Sequence, residues 1–156
     1  MDTELDRARK DALSLLRQHK VGVLSTASEG HLHGSAVYYT VDNDFNIYIL
    51  TLVNTRKYAA LTANPQVAFT VFDAQVPRTL QLEGRAMDIT LDQEAAKKKE
   101  ELFDVLNSNP WFYGPITKLD IVETAVVWIR PTWVRWADYA FSEAGSERLF
   151  KEIPIS

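Results

Sequence analysis

Residues 47–72 read IYILTLVNTRKYAALTANPQVAFTVF. Ile47 to Thr51 has the β-branched, alternating character of a strand. Thr55 to Ala63 changes to helical spacing, with Thr55 as the N-cap and Asn64-Pro65 as the stop. Val67 to Phe72 returns to strand. The helix is the first break in a run of strands joined by short connections, and short connections mean antiparallel neighbours.

Upstream, Asp42, Asn43 and Asp44 mark a turn, preceded by a strand from His31 to Val41. Ser28, Glu29 and Gly30 supply a second turn, which joins that strand to another beginning at Val21 and Val23. From Asp2 to Gln18, Leu5, Ala8, Ala12, Leu15 and Leu16 fall at helical spacing and predict an amphipathic opening helix. Downstream, a loop with Pro77 leads to a strand from Leu80 to Ile89, where Gly84 marks a bulge or a close backbone approach. Asp92 to Leu106 reads as a helix whose Glu94/Lys98 and Lys97/Glu101 pairs form a solvated face. Asn109 to Gly114 reads as a loop, and Thr124 to Arg130 with Trp133 to Trp136 as a strand broken at Pro131. The result is a mainly β chain of about six short antiparallel strands with flanking helices, a closed or nearly closed barrel, and a single domain over residues 1–156.

The chain has 156 residues, 17 basic and 21 acidic, for a formal net charge of −4. That balance argues against a general nucleic-acid surface. There is no cysteine, which removes disulfides, thiolate nucleophiles and sulfur-ligated metal sites. No apolar run is long enough to span a membrane, and the first twenty residues lack a signal-peptide pattern, so a cytoplasmic protein is expected.

Most chemical motifs fail on inspection. The glycines do not form a dinucleotide or Walker pattern, and no Gly-x-Ser-x-Gly elbow exists. Asp42, Asp44 and Asn46 imitate a calcium loop, but Ile47 and Val53 stand where glycine and glutamate are needed, so the segment reads as a turn. His31 and His33 share a strand face without an identifiable third ligand, and no metal site is expected. Ser35 has no identifiable base, so a hydrolase is not expected.

The segment from Thr51 to Lys57 carries more. It places Arg56 and Lys57 at the start of a helix, where free N–H groups and the helix dipole favour an anion, and Thr51 and Thr55 offer hydroxyls. That is a phosphate site in outline. An ordinary capped surface helix with two exposed cations explains the same residues, and both readings stay open at this level.

Ile47 to Phe72, with Leu82-Glu83-Gly84-Arg85-Ala86 and the proline-containing stretch from Ile129 to Trp136, resembles the pyridoxamine 5'-phosphate oxidase-like family of FMN-binding split barrels. The resemblance covers residues from Val21 to Ile89 and, more weakly, from Thr124 to Tyr139. It implies a six-stranded antiparallel Greek-key split β-barrel that forms a homodimer with FMN between the protomers. By the same resemblance, Thr55, Arg56 and Lys57 hold the FMN phosphate, and Thr51 and Leu50 touch the cofactor. The strand Ser35, Val37, Tyr38, Tyr39, Thr40 runs along the ring. Gln81 and Trp133 are further ring contacts, and Trp111, Tyr113 and Trp136 are pocket-wall or core aromatics. Ser35 and Thr40 stand where the oxidases proper carry arginine and lysine, and Phe150 where a substrate histidine stands, so vitamin B6 oxidation is not expected. The expectation is a generic FMN-dependent oxidoreductase passing hydride or electrons from a reduced donor, NAD(P)H among them, to a small acceptor. Its rivals are a deazaflavin-dependent reductase on the same fold, and a flavin- or haem-binding carrier without turnover. No residue is assigned as a catalytic acid or base.

Overall fold

The computed structural model describes residues 3–108, 123–141 and 149–155. A helix α1 (Thr3–Gln18) precedes three strands, β1 (Val21–Ser28), β2 (His31–Val41) and β3 (Ile47–Leu52). Helix α2 (Arg56–Ala63) follows, then β4 (Gln66–Asp73), β5 (Arg78–Asp88), helix α3 (Ala95–Asn107), the long β6 (Thr124–Asp138) and the short β7 (Phe150–Glu152). The sheet runs β3-β2-β1-β4-β5-β6-β7, every pairing antiparallel, and a further β3–β6 pairing closes six strands into a barrel. The expected fold class, a mainly β split barrel with flanking helices, is what the chain adopts.

The turns follow the local chemistry. Glu29 and Gly30 both take positive φ, 52° and 77°, as the two-residue hairpin between β1 and β2 requires. At the next turn the Asp42 carboxylate accepts N–H bonds from Asp44 at 2.9 Å and Asn46 at 3.0 Å. The carboxylate there locks a bend.

Pro131 does not break the last strand. β6 runs through it by bulging: Glu83 faces Trp133 and Gly84 faces Pro131, which leaves Thr132 as the extra residue, so the missing N–H falls at an irregularity. Gly84 is required at this point: a Cβ there would stand 2.5 Å from the Arg130 carbonyl oxygen. The charge run on α3 also pairs differently from expectation, Lys98 reaching Glu101 at 3.4 Å rather than Glu94.

Inward residues of the strands fill the barrel. Phe69, Leu24, Ile47, Ile49, Leu80, Leu82 and Ile129 are fully buried, and Tyr39 meets Phe69 edge-on at 5.0 Å. Helix α1 adds Ala8, Ala12, Leu13, Leu15 and Leu16 to this core, and the Tyr39 hydroxyl donates to the Leu16 carbonyl at 2.6 Å. A second, smaller core lies outside the barrel. There Leu102 and Ala95 of α3 pack with Ile89 and Val126, against Tyr48, Leu50 and Trp128 on the outer faces of β3 and β6.

Candidate functional site

The start of α2 is built by its cap. Thr55 has extended φ and ψ of −94° and 156°, and its Oγ1 accepts the Tyr58 N–H at 3.2 Å. The Thr55 hydroxyl proton goes to the Leu52 carbonyl at 2.8 Å, and Thr51, buried, places its own Oγ1 3.5 Å from that of Thr55. The sequence reading offered both hydroxyls as anion donors. Thr55 instead spends its proton on the loop that sets the helix entry. What the cap leaves free is the backbone: the N–H groups of Arg56 and Lys57 precede the first intrahelical bond, from Ala59 to Thr55.

Arg56 and Lys57 diverge. Arg56 is exposed, whereas Lys57 is half-buried at the edge of a cavity of about 220 Å³. Ala36, Val37 and Tyr38 of β2 with Leu50 of β3 form one wall of it, and Leu102 and Leu106 of α3 the other. Burial lowers the Lys57 pKa below the usual lysine range. Neither cation forms an ion pair among the described residues. An unpaired, partly desolvated ammonium beside an apolar slot suits a flat ring with an anionic tail. The volume falls below the roughly 300 Å³ typical of small-molecule sites.

A network that sequence reasoning missed fixes this corner. The Tyr58 hydroxyl donates to Asp88 at 2.6 Å, Thr90 donates to the same carboxylate through its N–H at 2.9 Å and its hydroxyl, and Thr90 Oγ1 accepts the Val126 N–H at 3.0 Å. Partial burial works against ionisation of Asp88, but the bonds from Thr90 and Tyr58 outweigh it and hold the pKa below the usual carboxylate value. The first turn of α2 is thereby tied to the end of β5. Tyr58 follows the two cations in sequence, but nothing local marks Asp88 as its partner.

The β2 residues split by face. Tyr38 looks out toward the cavity, while Val37 and Tyr39 are buried inward, with the Tyr39 phenol pushed well above its ordinary pKa by burial. Their side chains serve the core, and only their backbone is available to a ligand. Ser35 is partly buried farther along β2, and Thr40 carries a buried Oγ1 with no hydrogen-bond partner. Trp136, offered as a possible wall, is barrel core, and Trp111 and Tyr113 lie outside the described residues.

Gln81 and Trp133 are not brought to the Lys57 cavity of the same chain. Ala36 pairs with Val23, Val23 with Thr70, Thr70 with Gln81 and Gln81 with Arg135, so they stand along one transverse row of the sheet's outer face. Three strand spacings, roughly 14 Å, separate Ala36 from Gln81. At the far end Arg135 donates from Nε to Gln81 Oε1 at 3.0 Å and again from Nη2, and its guanidinium lies 5.4 Å from the Trp133 ring and 4.2 Å from the Phe150 ring. Between the ends lie Val23, 38% exposed, and Thr70, with Val21, 44% exposed, beside them on β1.

Among the described residues no group of three His, Asp or Glu side chains is placed to hold a metal, and no helix is long and apolar enough to cross a membrane. His31 and His33 stack at 6.4 Å on β2, and His19 pairs with Asp73 at 3.5 Å; none lines the Lys57 cavity.

A closed antiparallel barrel of six strands with flanking helices, one of them capped and cation-bearing beside an apolar slot, is the architecture of a split barrel. Residues 8–136 match the family model described as pyridoxamine 5'-phosphate oxidase, and the chain belongs to that family. Among solved structures it resembles an F420 reductase at 28% identity and TM-score 0.62, over 78% of this chain and 93% of that one. A FAD-binding protein from Mesorhizobium loti matches at 18% identity and TM-score 0.64, over 80% of this chain and 88% of that one. A heme binding protein from Mycobacterium smegmatis matches at 18% identity and TM-score 0.71, over 93% of this chain and 57% of that one. No curated protein sequence matches.

Proposed function

We propose that the protein is a cytoplasmic FMN-dependent oxidoreductase that works as a homodimer, passing electrons from a reduced donor such as NAD(P)H to a small acceptor. The observation that carries this reading is the half-buried, unpaired Lys57 at the edge of an apolar slot, next to the open N–H groups of α2. Lys57 and the backbone N–H groups hold the phosphate, Arg56 adds charge from the solvent side, and Thr51 and Thr55 fix the loop that presents them. Leu50 and the outward β2 residues, Ala36 and Tyr38, form the surface on which a ring lies, with the β2 backbone supplying polar contacts. FMN, when bound, supplies the hydride and electron chemistry.

The outer face supports a second copy. The Lys57 slot and the Gln81–Trp133 cluster lie at opposite ends of a strip of that face, and a two-fold axis through such a strip brings one end of each copy over the other end of its partner. The small volume of the slot supports the same arrangement.

A deazaflavin is the second reading, favoured by the 28% identity to an F420 reductase, because it also carries a flat ring and a phosphate. The test is to add FMN to the purified protein, remove the excess and record the visible spectrum. Retained two-band flavin absorption that bleaches with NADPH and returns with oxygen is expected. A colourless protein overturns the FMN reading, and the same test with the deazaflavin then decides the rival.

A further inference from the structure

We infer that Arg135 is a positioning residue that turns Gln81 into a pure hydrogen-bond donor for the acceptor edge of a flat, electron-accepting ring. The inference rests on the FMN reading and names a residue which that reading does not use.

A glutamine amide has an accepting end and a donating end, and either can face a ligand until a neighbour fixes it. Arg135 fixes it, because a guanidinium only donates. Its Nε and Nη2 both address Gln81 Oε1, so the oxygen must point to Arg135 and the NH₂ must point away. The guanidinium is itself held in place by the rings of Trp133 and Phe150, 5.4 and 4.2 Å away. Tyr139 then packs edge-on against Phe150 at 6.3 Å. Four side chains from β6, the turn that follows it and β7 thus orient one amide on β5.

The cluster is also short of negative charge. Glu152 pairs with Arg135 in the strand register, yet Arg135 makes no ion pair among the described residues. Both surplus features, outward N–H donors and an uncompensated cation, favour a ring carrying more negative charge on the facing edge. The ligand class is therefore a planar heterocycle that gains negative charge on reduction, and the cluster raises its midpoint potential.

The test uses the full chain loaded with FMN, and compares the midpoint potential of the bound flavin in wild type, Arg135→Met, Arg135→Lys and Gln81→Glu. Arg135→Met releases the amide and removes the charge. Gln81→Glu keeps a partner for Arg135, so the fold is preserved, while removing both outward donors. Each is expected to cost about tenfold in the preference for reduced over oxidised FMN, a shift of about 30 mV to lower potential. Arg135→Lys, which keeps the charge and one donor, is expected to recover part of it. If Arg135→Met does not fold, Gln81→Glu decides alone. FMN bound at an unchanged potential in the folded variants overturns this inference only, whereas a wild type that does not bind FMN overturns the reading beneath it as well.

Discussion

Along β2, Val37 and Tyr39 turn into the barrel, while Ala36 and Tyr38, each one residue away, turn out along the face that carries the Lys57 slot. Inside, Tyr39 has its hydroxyl bonded to Leu16 and its ring against Phe69. Outside, a cation lacks a counter-ion among the described residues, a small slot stands open, and valines face solvent on β1. A fold does not need such features for its own stability, and they are what the proposed cofactor face rests on.

Each side of that comparison can be broken separately. Phe69→Ala empties the centre of the core and is expected to cost about 3–5 kcal/mol, read as a lower midpoint in urea unfolding. Replacing Arg56 and Lys57 together with alanine should leave that midpoint nearly unchanged while removing two charge-assisted contacts. At about 1.5–3 kcal/mol each, FMN affinity should fall roughly 100-fold or more in a fluorescence titration. If the double variant retains FMN, the phosphate assignment is wrong.

A smaller effect separates Lys57 from Arg56. Because burial lowers the Lys57 pKa, the free protein loses that proton at a lower pH than an ordinary lysine would, and anion affinity should decline as pH rises through that range. Lys57→Arg, always charged, should abolish the decline. The smallest expected change is Tyr58→Phe, which removes the bond to Asp88 at a cost of about 1 kcal/mol. The carboxylate pKa is lowered in the fold, so its stabilising contribution is full above the unfolded value and lost as pH falls through the folded one. The variant should therefore show a weaker loss of stability on acidification than wild type.

The strands and α2 were legible because their signals are local: alternation along Ile47 to Thr51, an Asn-Pro stop, the Glu29-Gly30 turn. Pro131 misled for a matching reason, since the bulge at Thr132 that accommodates it shows only in the pairing of β6 with β5. At the site, Arg56 and Lys57 could be singled out by type and position, but their divergence depends on which side of α2 meets β2 and α3. Val37 and Tyr39 could be placed on one face of a strand, but that this face points into the barrel is set by how β2 joins β1 and β3. The Gln81–Arg135 pair lies 54 residues apart in sequence, and only strand pairing joins it.

The central claim is that one cofactor is shared between the Lys57 end of one copy and the Gln81–Trp133 end of another. Two variants test it most directly: Arg56→Ala/Lys57→Ala, broken at the first end, and Gln81→Ala/Trp133→Ala, broken at the second. Each alone should bind little FMN. Unfolded and refolded together, half of the dimers should be mixed, each with one intact site, so that about a quarter of all sites recover wild-type affinity. A mixture that binds no more FMN than the two variants measured separately would contradict the shared site.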